Sequence, residues 1–165
     1  MGYGRILVCS NCKKEYRASW GVGFSFPEEY EKTLSDIRKG KYGDGMKAIS
    51  HDEKHIAVDA EEYLYICGKC NAWKVEKGLS LYTPKNLKLL MMRRYGDKTV
   101  EWREAPYVMK RELQGNYSLV KRYVHKCDKC GGIMHLATED EELNLSCPGC
   151  GGAPDPEKQF GILWD

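Results

Sequence analysis

No apolar run in this chain approaches the length needed to cross a bilayer: Leu89-Leu90-Met91-Met92, the longest in its middle, is 4 residues, against the roughly 20 that a spanning helix uses. The opening MGYGRILVCSNC has no apolar stretch of the kind a signal peptide requires. Ile6 stands where a myristoylation pattern wants Ser or Thr. These absences lead to the expectation of a cytoplasmic protein with reduced cysteines and no membrane partner. No Ser/Gly/Pro-rich linker divides the sequence, and 42% hydrophobic with 30% charged residues is a globular composition, so the chain should fold throughout.

Catalytic patterns are missing as well. Gly21 and Gly23 have neither a following phosphate-loop lysine nor a third glycine at dinucleotide spacing, which makes Trp20 to Phe26 a tight bend with buried aromatics. His51 and His55 are spaced like ligands on one helical face, but no H-E-x-x-H pattern accompanies them and their surroundings read as loop. Asp59, Glu61 and Glu62 precede a strand and read as its solvated edge. His135 belongs to no pattern. No catalytic residue and no small-molecule substrate are assigned.

What the sequence does have is eight cysteines in four Cys-x-x-Cys knuckles: Cys9/Cys12, Cys67/Cys70, Cys127/Cys130 and Cys147/Cys150. Thiolate is a metal ligand, and two knuckles supply the four sulfurs of a tetrahedral centre. Four knuckles can pair in three ways. Only 16 residues separate the last two, a span that a β-hairpin can close, so sequential pairing is expected: Cys9, Cys12, Cys67 and Cys70 at one site, Cys127, Cys130, Cys147 and Cys150 at the other. The 54 residues between the first two knuckles are no obstacle, since the longer loop costs only about 1 kcal/mol more to close and structural Zn²⁺ binds with roughly 10–16 kcal/mol. His125, two residues before Cys127, is expected beside a full ligand set or at the surface.

A knuckle turns sharply after its second cysteine, and glycine accepts the positive φ of that turn. Gly131 and Gly151 stand at that position, whereas the N-terminal knuckles have Lys13 and Asn71. On CDKCGG and CPGCGG, residues 120–155 resemble the zinc-ribbon superfamily, whose knuckles are similar to those of rubredoxins. The resemblance implies a structural Zn²⁺ on a small antiparallel sheet, with Cys127, Cys130, Cys147 and Cys150 as ligands. It implies no function, because ribbons occur in unrelated proteins. Rubredoxin-like iron and electron transfer use the same Cys₄ geometry. Disulfide exchange would place a knuckle at a helix N-terminus, and catalytic zinc needs an open position that two complete sets do not leave.

Short strand-like segments lead into the knuckles: the apolar run Arg5 to Val8, Tyr63 to Ile66, and the alternating Tyr117 to His125. Pro27, with Tyr30, Leu34 and Ile37 on one stripe, predicts a helix that Gly40 ends. A short helix around Met46 to Ile49 and another from Tyr107 to Gln114 are expected, and Leu87 to Arg103 reads as a hairpin or a helix. Phe160 to Trp164 should pack back on the sheet. The fold class is therefore α+β and β-rich: small antiparallel sheets, two Cys₄ zinc sites, a C-terminal zinc ribbon, and a helical excursion between the N-terminal knuckles. Domains are expected at 1-84, with a helical insertion 27-58, and at 85-165, unless they share one core.

Charge is uneven. Residues 85–126 carry 11 Lys/Arg against 4 Asp/Glu, while residues 127–165 carry 2 against 8. With eight thiolates around two Zn²⁺ the net charge moves from +2 to about −2. Lys88, Arg93, Arg94, Lys98, Arg103, Lys110, Arg111, Lys121 and Arg122 are interleaved with tyrosines, as a single-strand binder requires. The same alternation also arises on strands with tyrosines turned inward. The expected function is a non-enzymatic zinc protein presenting a surface to another protein or to nucleic acid; an iron redox protein, or an enzyme assembled across residues 13–66, are the alternatives.

Overall fold

The computed structural model describes residues 2–53, 55–90 and 107–164. Its secondary structure begins with a hairpin, β1 (Gly2–Cys9) and β2 (Glu15–Gly21), folded about the first knuckle. Two helices follow, α1 (Phe26–Arg38) and α2 (Asp44–Asp52). Pro27 sits in the first turn of α1 with Glu28 and Glu29 near its positive end and Arg38 in its last turn, while Tyr30, Thr33 and Ile37 are buried. Gly40, at φ 89°, ends the helical path. Helix α2 extends through His51 and Asp52, so the loop expected around His51 is helical instead.

The chain then forms β3 (Ala57–Val58), β4 (Glu62–Cys67), β5 (Trp73–Lys77) and β6 (Leu81–Pro84). Residues 87–90 are helical. The rest of the expected hairpin or helix, through Arg103, lies outside the described residues, as do Arg93, Arg94 and Lys98. Beyond them come α3 (Lys110–Asn116), β7 (Tyr117–Lys121), β8 (Met134–Leu136), α4 (Glu139–Leu143) and β9 (Pro154–Trp164).

These elements divide into two compact units interleaved along the chain. One comprises residues 1–24, 62–77 and 124–165, the other residues 25–61 and 78–123. This differs from the expected division at 84/85. The reason is pairing: β9 adds to β1 and β8 adds to β4, so the C-terminal third builds on strands from the first half.

In the first unit one six-stranded sheet runs β5-β4-β2-β1-β9, with β8 also paired to β4. Its core joins Leu7, Ala18, Leu64, Ile66 and Leu145, with Tyr16, Trp20 and Trp73 packed around them. Leu145 lies between the last two knuckles and is 1% exposed. Complete burial of a leucine stabilises by roughly 1.5–3 kcal/mol, and its carbonyl accepts the Tyr16 hydroxyl at 2.5 Å while that of Ser146 accepts Trp73 Nε1 at 2.7 Å. The linker between those knuckles is thereby fastened to both hairpins.

The second unit has the sheet β3-β6-β7 and a core of Ile37, Ile56, Val58, Leu81, Val108 and Leu113. Strand β7 belongs to this sheet and ends at Lys121, so it does not run into the third knuckle as expected. The bend at Trp20 to Phe26 is also only half as predicted: Phe26 is buried, but Phe24 is 86% exposed.

Candidate metal centres

All four knuckles share one backbone design. The N–H of the residue after the second cysteine returns to the carbonyl of the first: Lys13 to Cys9, Asn71 to Cys67, Gly131 to Cys127 and Gly151 to Cys147. The N–H of each first cysteine then bonds the carbonyl five residues on, at Lys14, Ala72, Gly132 and Gly152, over 2.8–2.9 Å. All four turn residues have positive φ, at 61°, 55°, 68° and 72° in chain order. Lysine occupies that position at a conformational cost of about 1–2 kcal/mol.

The knuckles come together crosswise. Cys9, Cys12, Cys147 and Cys150 form one group and Cys67, Cys70, Cys127 and Cys130 the other, with the ligand atoms of each within 4.8 Å of one another. The sequential pairing is overturned, and residues 120–155 are not a ribbon complete in itself. The linker expected to be a hairpin contains one strand, β8, which pairs with β4 in the register Cys67↔Met134, and then helix α4. That helix was legible: Thr138 and Glu141 stand three apart as a capping box, and their reciprocal side-chain bonds are formed. Pairing of β9 with β1, down to Cys9↔Pro154, sets the fourth knuckle beside the first in the same way.

Between the paired knuckles, sulfurs approach at 3.4 Å for Cys9–Cys150, 3.8 Å for Cys12–Cys147, 3.5 Å for Cys67–Cys130 and 3.6 Å for Cys70–Cys127. All eight cysteines are free. A tetrahedron with metal–sulfur bonds of about 2.3 Å has edges of about 3.8 Å, so each group fits a metal ion with little movement. Separations of 135 residues for Cys12 and Cys147 and 57 for Cys70 and Cys127, in place of the 54 and 16 intervening residues of sequential pairing, raise the loop-closure cost by only about 2 kcal/mol in all.

Electrostatics favours a cation at both centres. The Cys12 N–H, aided by that of Asn11 and opposed by burial, lowers the Cys9 thiol to about 6. The Lys69 N–H leads the same shift at Cys67, also to about 6. Cys147 is lowered chiefly by the Cys150 N–H. At Cys127 burial opposes ionisation, and the N–H groups of Cys130 and Lys129 outweigh it. The second cysteines differ. The Lys14 N–H favours a Cys12 thiolate, but burial and three neighbouring sulfurs together push it up to about 11. At Cys70 the Ala72 N–H is likewise outweighed, by Cys130, burial, Cys127 and Cys67, which push it to about 12. Four sulfurs this close resist ionising together until a positive charge sits among them.

Glycines complete the cradle. A Cβ at Gly132 would lie 3.1 Å from Cys67 Sγ and 3.2 Å from Cys130 Sγ; one at Gly152 would lie 3.1 Å from Cys9 Sγ and 3.0 Å from the Asn11 Cβ. Gly132→Ala should therefore weaken metal binding at its own centre by about tenfold, on the scale of groups that support ligands. Chelator competition should show the loss for one ion of two, and equal affinity at both centres would contradict this role.

His125 is buried, with its ring stacked at 3.8 Å on Tyr65 and Nδ1 2.8 Å from a Glu76 carboxylate oxygen. Tyr65, Cys67, Cys127 and Met134 form one cluster, so His125 buttresses the second centre from beside it. No histidine is a member of either group. His51 Nε2 lies 3.1 Å from the Arg38 carbonyl, and His135 Nε2 lies 2.9 Å from Glu141. Glu61 is a brace and not a solvated edge, its carboxylate accepting the Lys110 N–H at 2.7 Å.

No family model, curated protein or solved structure matches this chain.

Of the basic residues expected to meet nucleic acid, Lys88, Arg111, Lys121 and Arg122 are exposed and Lys110 is half-buried. The interleaved tyrosines turn inward: Tyr117 is buried, Tyr107 packs edge-on against Phe26, and Tyr123 packs edge-on against Tyr42. Arg93, Arg94, Lys98 and Arg103, with Tyr95 and Trp102, lie outside the described residues. No helix among the described residues is long and apolar enough to cross a membrane.

Proposed function

We propose that this is a non-enzymatic zinc protein in which two structural Cys₄ centres hold one sheet together as a surface for another macromolecule. The supporting observation is that both groups are complete: each has four sulfurs at tetrahedral spacing, which leaves no open ligand position for a substrate or an activated water. Zinc supplies binding energy that also holds the fold, here by tying β1 to β9 and β4 to β8. The partner is a protein or a nucleic acid. The exposed cations of 85–126 favour nucleic acid, whereas the inward tyrosines and the acidic C-terminal third favour a protein.

The test is elemental analysis of the purified protein, followed by fluorescence anisotropy with single-stranded and duplex oligonucleotides at low and physiological salt. Two zinc ions per chain and a colourless solution are expected; a red protein containing iron would move the reading to electron transfer. Association that falls steeply with salt would assign the partner as nucleic acid. No association even at low salt would assign it as protein.

A further inference from the structure

Strand β9 lies at the edge of the first unit's sheet, paired with β1 on one side and with no strand among the described residues on the other. An open edge offers unpaired backbone groups, and proteins ordinarily blunt it with proline or charge. The first half of β9 is guarded in that way, by Pro154, Asp155, Pro156, Glu157 and Lys158. Gln159 to Trp164 carries no charge at all, and it exposes Phe160 by 60% and Leu163 by 66%.

The face beside this open half is hollow. The registers set Trp20, Tyr3 and Leu163 in one row across β2, β1 and β9, and Ala18, Arg5 and Gly161 in the next. Ala18, and Leu7 in the row after that, belong to the core with Leu145, whereas Tyr3, Trp20, Leu163, Arg5 and Gly161 border a cleft of about 430 Å³ whose other wall holds Glu139 and Glu142 of α4. Arg5 lines the cleft with its Nε buried and without a hydrogen-bond partner. The site thus combines an apolar floor, a guanidinium with an unused donor, two carboxylates, and a strand edge running alongside.

We propose that this edge and cleft take an extended peptide segment of a partner protein that alternates basic and apolar residues and adds as a strand to β9. Backbone pairing along Gln159 to Trp164 supplies the main contact, as in other strand-addition complexes. Alternate side chains of the segment fall on the face with Tyr3 and Leu163, where an apolar residue covers these two exposed side chains and a Lys or Arg reaches Glu139 and Glu142. A main-chain carbonyl of the segment is within the chemistry of Arg5. Charge selects this occupant over a second copy of the chain: residues 127–165 hold 8 acidic and 2 basic residues, and two such segments brought together through β9 would repel.

This rests on the reading that the protein acts by contact with a macromolecule, so the metal content of the parent protein is measured first, and a failure of the zinc reading appears there. The zinc-loaded chain is then titrated into fluorescein-labelled peptides that alternate Lys with Val and Ile, and into matched peptides with Glu for Lys. The Lys peptides are expected to bind and the Glu peptides not. Glu139→Gln with Glu142→Gln, and separately Leu163→Lys, should each weaken binding by about tenfold while both ions are retained, since none of these residues belongs to either cysteine group. Equal binding of the two peptide sets, binding unmoved by the variants, or no Lys-peptide binding would overturn the proposal. Self-association of the parent protein that Leu163→Lys abolishes would overturn it in favour of a second copy.

Discussion

Cys9→Ser combined with Cys147→Ser is expected to leave the metal content and melting temperature where Cys9→Ser alone leaves them, because both cysteines belong to one centre. Cys9→Ser combined with Cys67→Ser is expected to cost the second ion as well. Residues that act on one ion are non-additive, whereas residues at separate centres add. Sequential pairing of the knuckles would reverse the two results, which makes this pair of double variants the decisive comparison. The effect on stability is large. Apparent zinc binding of roughly 10–16 kcal/mol exceeds what a domain of this size has to spare, so loss of an ion should melt the strands it joins. Inductively coupled plasma mass spectrometry and thermal circular dichroism read the two outcomes.

Acid should release the ions steeply and unfold the six-stranded sheet in the same transition. Cys9 and Cys67 have folded values near 6, below the ordinary 9.0. A lowered value means stability that is present above the unfolded value and lost as pH falls through the folded one, so the thiolates contribute fully above 9.0 and lose that contribution on the way down to about 6. A bound cation extends the retained range downward, because protons must then compete with metal for each sulfur. With four cysteines at each centre, release should take up close to four protons per ion. A metallochromic indicator followed alongside far-ultraviolet circular dichroism measures both events. A sheet unchanged after full release would contradict a structural role.

The knuckles themselves were legible residue by residue. Cys-x-x-Cys followed by glycine pointed to a sharp turn with positive φ, and Gly131 and Gly151 adopt it. Lys13 and Asn71 show that the motif outranks propensity: two backbone hydrogen bonds per turn hold them in the same conformation as glycine. Helix α1 was equally plain, since Pro27 and the Tyr30, Leu34, Ile37 stripe are local signals. The inward side of the tyrosines in 85–126 was less so. Alternation shows that two faces exist, and only packing against Phe26 and Tyr42 shows which one is buried.

The sequence by itself determined that eight cysteines would stand in four turns of one shape, because a knuckle is closed by hydrogen bonds among neighbouring residues and needs nothing from the rest of the chain. Which knuckles share an ion was decided by tertiary structure alone. That choice lies in strand pairing between β1 and β9 and between β4 and β8, and in a linker whose Leu145 is buried in the sheet's core. Proximity in sequence argued for the last two knuckles, but entropy of closure varies only logarithmically with loop length, so about 2 kcal/mol of loop preference yields to the strand hydrogen bonds and apolar burial that join the ends of the chain to its middle.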